Sequence, residues 1–370
     1  MSVATAQGQP HLTGTESEHL LREAKKLRPD NYAVFYYLGL MYLKQGNPDK
    51  AMAEWESYLK IAPDDSKSAT VREQLTVFRI NQAKEYAREA VNGESQISED
   101  QIRKHTLAVL NFNYSGPPAY NVLSKGITAM IITDLANIPQ IHVVERVKMQ
   151  ALLEEIRLGQ TGIINEETAV RAGKLLLARH IVRGEISDSE TRFEIYSVVT
   201  ETLEARDLGN IQVDGPRNSL FRIEKKVVYG ILEVLGIKEE DIIPEIKKAI
   251  EKIHTRSFEA LLSYSLGLDY QDRGMFAEAG EAFEGALNSD PEFDMAEEAL
   301  ISNPGSMGIY NDARWTEAAN FSDEDSGSQR VEKSEELYEL KPVTSPVDDA
   351  QNRTTQRLME EEAPPFPGKP

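Results

Sequence analysis

Leu38-Gly39-Leu40-Met41-Tyr42-Leu43-Lys44-Gln45-Gly46-Asn47-Pro48 returns 228 residues later as Leu266-Gly267-Leu268-Asp269-Tyr270-Gln271-Asp272-Arg273-Gly274. The register holds beyond that stretch, because Ala51, Trp55 and Pro63 come back as Ala279, Phe283 and Pro291. Seven matched positions in one register mark an internal repeat, and each residue type has a packing role. Gly39 and Ala51, like Gly267 and Ala279, are small where two helices of one hairpin must cross closely. Gly46 and Gly274 suit a left-handed helix end, Pro48 suits the first turn of the next helix, and Pro63 and Pro291 stop the second helix.

These two stretches resemble the tetratricopeptide repeat, a hairpin of antiparallel helices that stacks on its neighbours. Ala286 fits the small residue of that pattern late in the second helix, and Tyr58 departs from it. Residues 16–27, followed by Arg28-Pro29-Asp30, read as the second helix of an earlier repeat, since Pro29 lies 34 residues before Pro63. Half a hairpin cannot bury its own face, so the expectation is a truncated or processed product that has lost a first helix and, with it, any signal sequence. Residues 66–91 read as a long capping helix. The face of each first helix that stacking leaves over carries Tyr36, Leu40, Leu43 and Lys44, and later Tyr264, Leu268 and Asp272. The resemblance implies a partner peptide on that face; packing on the neighbouring domain is the equal alternative.

Between the repeats the periodicity changes. The apolar run Leu107-Ala-Val-Leu-Asn-Phe112 reads as a buried strand that ends at the turn cluster Ser115-Gly-Pro-Pro118. Leu123, Ile127, Met130, Ile131 and Leu135 follow at helical spacing, and a second short strand starts at Ile141, which makes a strand–helix–strand crossover. Two amphipathic helices come next, the second capped by Asn165, then strands near 180–186, 193–199 and 210–213, then a helix that stops at Gly236. The order predicts a mixed sheet with helices over one or both faces.

Several phrases within residues 105–237 resemble the CsgG family and, more distantly, the amino-terminal domain of TolB: Leu107-Ala-Val-Leu-Asn-Phe112, Val143-Val-Glu-Arg146, Leu152-Leu-Glu-Glu155, Leu158-Gly-Gln-Thr-Gly162, Ala172-Gly-Lys-Leu-Leu176 and Val182-Arg-Gly184. The resemblance implies a bacterial envelope setting and roles in assembling pores, assisting cell-wall synthases or binding envelope proteins, none of them catalytic. Pore formation needs amphipathic inserts of roughly 9 to 11 alternating residues per strand. The third and fourth strands are joined only by a short polar segment, and the lipid-bearing cysteine of the family is absent, so a soluble recognition domain is expected instead.

The chain has 370 residues and a formal net charge of −20, which repels nucleic-acid phosphates and anionic lipid. A mean hydropathy of −0.44 and the absence of long apolar runs argue against a transmembrane segment. There is no cysteine, so disulfides, thiolate metal sites and cysteine nucleophiles are excluded. The six histidines are scattered, and no phosphate loop, dinucleotide turn or nucleophile elbow is present; no cofactor, metal or catalytic residue is expected. Glu154-Glu155 and Glu166-Glu167 read as solvated helix surface, and Glu145-Arg146 as an ion pair or cap.

The fold class expected is therefore multidomain α+β: tetratricopeptide hairpins at 15–92 and 242–300 flank a mixed-sheet α/β domain at 105–237. Residues 301–370 carry 14 acidic and 7 basic residues without periodicity and are expected to be a disordered tail, with Trp315 and residues 335–340 as docking candidates. Three functions are open on these grounds. The first is an envelope adaptor that binds other proteins, self-associates or both, at the periplasm or outer-membrane periphery if a signal sequence was removed. The second is a cytoplasmic TolB-like sensor or signalling scaffold. The third, an enzyme, lacks any constellation of nucleophile, base and metal ligands.

Overall fold

Asn31 accepts the Ala33 amide and so opens helix α2 (Tyr32–Lys44); Asn47 accepts from Lys50 and, with Pro48 in the first turn, opens α3 (Pro48–Leu59). Between them Gly46 takes φ +70°, as Gly274 takes +73° in the second hairpin. A Cβ at Gly39 would overlap the indole of Trp55, and one at Gly267 would overlap the ring of Phe283. That overlap is the physical reason both hairpins keep glycine where their helices cross. The computed structural model describes residues 14–63, 65–156, 165–189 and 191–304. The expected tail disorder, Trp315, residues 335–340 and the Leu158-Gly-Gln-Thr-Gly162 phrase lie outside the described residues.

The described residues fall into two compact units, 14–78 and 79–304, and the division runs within helix α4 (Ser66–Asn92). In the first unit α1 (Gly14–Leu27) sets Leu21 and Ala24 against Val34, Leu38 and Tyr42 of α2. Trp55, Tyr36, Tyr58, Val71, Leu75 and Phe78 form its other cluster, with Trp55 stacked on Phe78 at 6.0 Å between ring centroids. Tyr58, the departure from the repeat pattern, is fully buried there, so a large ring fills what a small residue would leave open.

The second unit is built on one sheet in the order β3-β1-β4-β5-β6. Strands β1 (Arg103–Val109), β3 (His142–Val143) and β4 (Ala178–Asp188) run parallel, while β4, β5 (Arg192–Glu201) and β6 (Arg206–Pro216) are antiparallel; β2 (Asn113–Ser115) extends β1 along β4. The continuous apolar run of β1 serves two cores in alternation. Leu107 and Val109 face the layer of α5 (Leu123–Ala136) and α8 (Leu220–Val234). Ala108 and Leu110 face α6 (Arg146–Glu155), α7 (Glu166–Leu175) and the end of α4, where Ala83 and Ala87 pack and the Tyr86 hydroxyl donates to the Leu175 carbonyl at 2.8 Å. Residues 189–191 join β4 to β5, and residues 202–205 join β5 to β6.

Residues 105–237 and 242–300, separated on sequence grounds, lie in one unit with one core. After α9 (Pro244–Glu251), α10 (Phe258–Asp272) and α11 (Phe276–Ser289) make the second hairpin. Its Leu261, Tyr264, Leu268 and Phe283 join the same apolar cluster as Ile127, Met130 and Val228 of the α/β layer. A further helix, α12 (Asp294–Ser302), closes the hairpin through Phe293, Ala296 and Leu300, and the Asn303 amide donates to the Phe276 carbonyl at 2.7 Å. No helix of the described residues is long and apolar enough to cross a membrane.

Candidate partner-binding faces

Helix α2 carries the first candidate face. Tyr36 is fully buried: its ring lies 5.6 Å from Tyr58, and its carbonyl accepts the Trp55 indole N–H at 3.2 Å. It belongs to the core under the bulk of Tyr58 and Trp55, which corrects the expectation of a partner contact at this position. Leu40 and Leu43 are half-buried at the edge of that cluster, and Lys44 is exposed at the end of the helix. Tyr37, a position the sequence reading did not single out, is half-buried beside Tyr36, at 5.6 Å between ring centroids.

Helix α10 carries the second candidate face, and α5 of the α/β domain occupies it. Tyr264 is buried between Phe283 and Phe293, at 5.9 and 5.0 Å between centroids, and burial pushes its hydroxyl well above the usual tyrosine range. Leu268 is 4% exposed. The Asp272 carboxylate takes Lys125 Nζ from α5 at 2.8 Å and Arg146 Nη1 at 2.8 and 3.0 Å, while Asp269 takes Lys125 at 2.9 Å. A Cβ at Gly126 would overlap the Ser265 hydroxyl, so the absence of a side chain on α5 admits α10. Of the two alternatives left by the sequence, Tyr264, Leu268 and Asp272 follow packing on the neighbouring domain.

Glu145-Arg146 reads differently in three dimensions. Glu145 precedes α6 without a side-chain capping bond, and Arg146 reaches Asp272, 126 residues away, rather than its neighbour. Lys125 and Asp269 were missed for the same reason: a charge in a helix that pairs across the fold leaves no local signature. A second polar cluster lies deeper. Asp134 of α5, fully buried, meets Lys225 of α8 and lies 2.9 Å from His254 Nε2, and Glu224 beside Lys225 is 1% exposed. Elsewhere Glu154 accepts from Gln150 at 2.9 Å, Glu166 and Glu167 are exposed at the start of α7, and burial lowers the pKa of His180. Among the described residues no group of three or more His, Asp or Glu could hold a metal.

A family model for the curli production assembly/transport component CsgG matches residues 75–197, from the later part of α4 into β5, and a tetratricopeptide repeat model matches residues 15–66. The chain thus carries a CsgG-like region preceded by tetratricopeptide helices. No curated protein matches it. Among solved structures it is similar to the LpoB C-terminal domain from Salmonella enterica, at 13% identity and a TM-score of 0.25, over 30% of this chain and 82% of that one. A likeness of that degree carries no functional weight.

Proposed function

We propose that this chain is a non-catalytic adaptor that holds other proteins at the bacterial envelope. The reading is carried by a tetratricopeptide region joined to a CsgG-like one in the same chain. On α10 the face is filled within the chain by a helix of the α/β domain, through a small-residue contact at Gly126 and a paired carboxylate at Asp272. On α2 the corresponding positions are half-buried Tyr37 and Leu40 and exposed Lys44. The tetratricopeptide match supports protein binding, and the CsgG match supports the envelope setting. Short links between β4, β5 and β6 support a recognition domain over a pore.

Cross-linking in the native cells, from the complete gene, tests the reading. A Leu40→Glu/Lys44→Glu variant with unchanged circular dichroism is expected to lose envelope proteins that the parent captures. Capture of cytoplasmic signalling proteins, or of the same set by both chains, would overturn it. Fractionation of the tagged parent is expected to place it in the periplasm or at the outer-membrane periphery.

A further inference from the structure

The joint between the second hairpin and the α/β domain buries two carboxylates beside one lysine. Asp134 and Glu224, from different helices, are 0% and 1% exposed in their side chains, and Lys225 is within ion-pair distance of both: in contact with Asp134 Oδ2, and 3.3 Å from Glu224 Oε2. His254, on the segment between α9 and α10, places Nε2 at 2.9 Å from Asp134 Oδ1, and its Nδ1 faces Asp294 of α12 at 3.8 Å. The remaining groups around the cluster are Tyr229 of α8, which faces Glu251 and Glu239, and Lys252, which pairs with Asp294 at the surface. Glu224 Oε1 and His254 Nδ1 are buried without a hydrogen-bond partner. Burial and a second carboxylate beside it both disfavour the ionised form of Glu224.

We infer that the second hairpin is held to the α/β domain by a proton-linked clasp, in which Glu224 carries a proton and shares it with Asp134, beside Lys225 and His254. Burial, and then the charge of Asp134, push the Glu224 carboxyl well above the ordinary carboxylate range. Freed from the joint, Glu224 returns to an ordinary carboxylate that ionises near 4.5. The raised pKa belongs to the docked state, so the clasp is complete below the ordinary value and weakens as pH rises through the raised one. One proton limits the effect to about tenfold in the docking equilibrium per pH unit. The device answers acidity by tightening α10–α12 and α9 against α5 and α8.

Hydrogen exchange of α10–α12 in the full chain tests this across a pH series, with rates corrected for the intrinsic pH dependence of exchange. The parent is expected to lose protection there with rising pH, by up to about tenfold per unit, while α2–α3 hold theirs. Glu224→Gln, which keeps the shape and removes the titration, is expected to flatten that profile, and His254→Asn to leave its slope in place. A slope that survives in Glu224→Gln, or a flat parent profile, would overturn the clasp. Infrared spectra of the unaltered chain at neutral pH, with Glu carboxyls isotope-labelled, are expected to contain one protonated carboxyl band. Its absence sinks the proposal whether or not the variants fold.

Discussion

Trp55 shows how much one side chain can organise. It fills the gap under Gly39, stacks on Phe78 of α4 and donates to the Tyr36 carbonyl, so three helices meet on one indole. Trp55→Ala is expected to cost the first unit about 3–5 kcal/mol in denaturant titrations. Gly39→Ala should cost about 1–3 kcal/mol through overpacking against the same ring. Burial pushes the neighbouring Tyr58 hydroxyl up to about 12. Its raised folded-state pKa adds stability that is complete below the ordinary tyrosine value near 10 and is lost as pH rises through about 12. Tyr58→Phe is expected to flatten the alkaline limb of the first unit's unfolding curve, and an unchanged limb would show that another group titrates there.

The α5–α10 pairing is the joint on which the second unit depends. It combines a close backbone approach at Gly126 with the Lys125–Asp272–Arg146 ion network, whose side chains are at most 17% exposed. Asp272→Asn takes the carboxylate from Arg146 and leaves Lys125 with Asp269 alone, and is expected to destabilise the docked hairpin by roughly 3 kcal/mol. Gly126→Leu should splay α5 from α10, raising exchange in α10–α12 while the α6–α7 layer on the opposite face of the sheet keeps its protection. Equal loss in both layers would mean that the sheet, rather than this joint, had failed. The crossing glycines were legible in the sequence because their constraint is local and repeated. The ion network was not, since Lys125, Arg146 and Asp272 lie in three helices brought together only by the sheet.

Each of the two units has its own apolar core, one centred on Trp55 and the other on the sheet and its helices, so two unfolding transitions are expected. The chain has two tryptophans, and with Trp315→Phe the fluorescence of Trp55 reports the first unit alone. Denaturant curves read by that fluorescence and by sheet circular dichroism should then differ in midpoint; coincident curves would show one cooperative block. The domain boundaries were the least legible feature of the molecule. Nothing in residues 66–92 announces that Leu75 and Phe78 serve one core and Ala83 and Ala87 another, because an unbroken helical period carries no mark of which partner each turn meets.

The residues alone determined the two hairpins, the crossover order of the α/β domain, its mixed sheet and the absence of disulfide chemistry, since helix ends, strand alternation and cysteine count are written along the chain. Packing across the fold decided the rest. It buried Tyr36, Tyr264, Leu268 and the Asp272 carboxylate, which a single helix leaves exposed, and left Leu40 and Leu43 half-buried and Lys44 exposed. It also gathered Asp134, Glu224, Lys225 and His254 from distant elements, because burial and charge pairing depend on which surfaces meet, and periodicity records only that a surface exists.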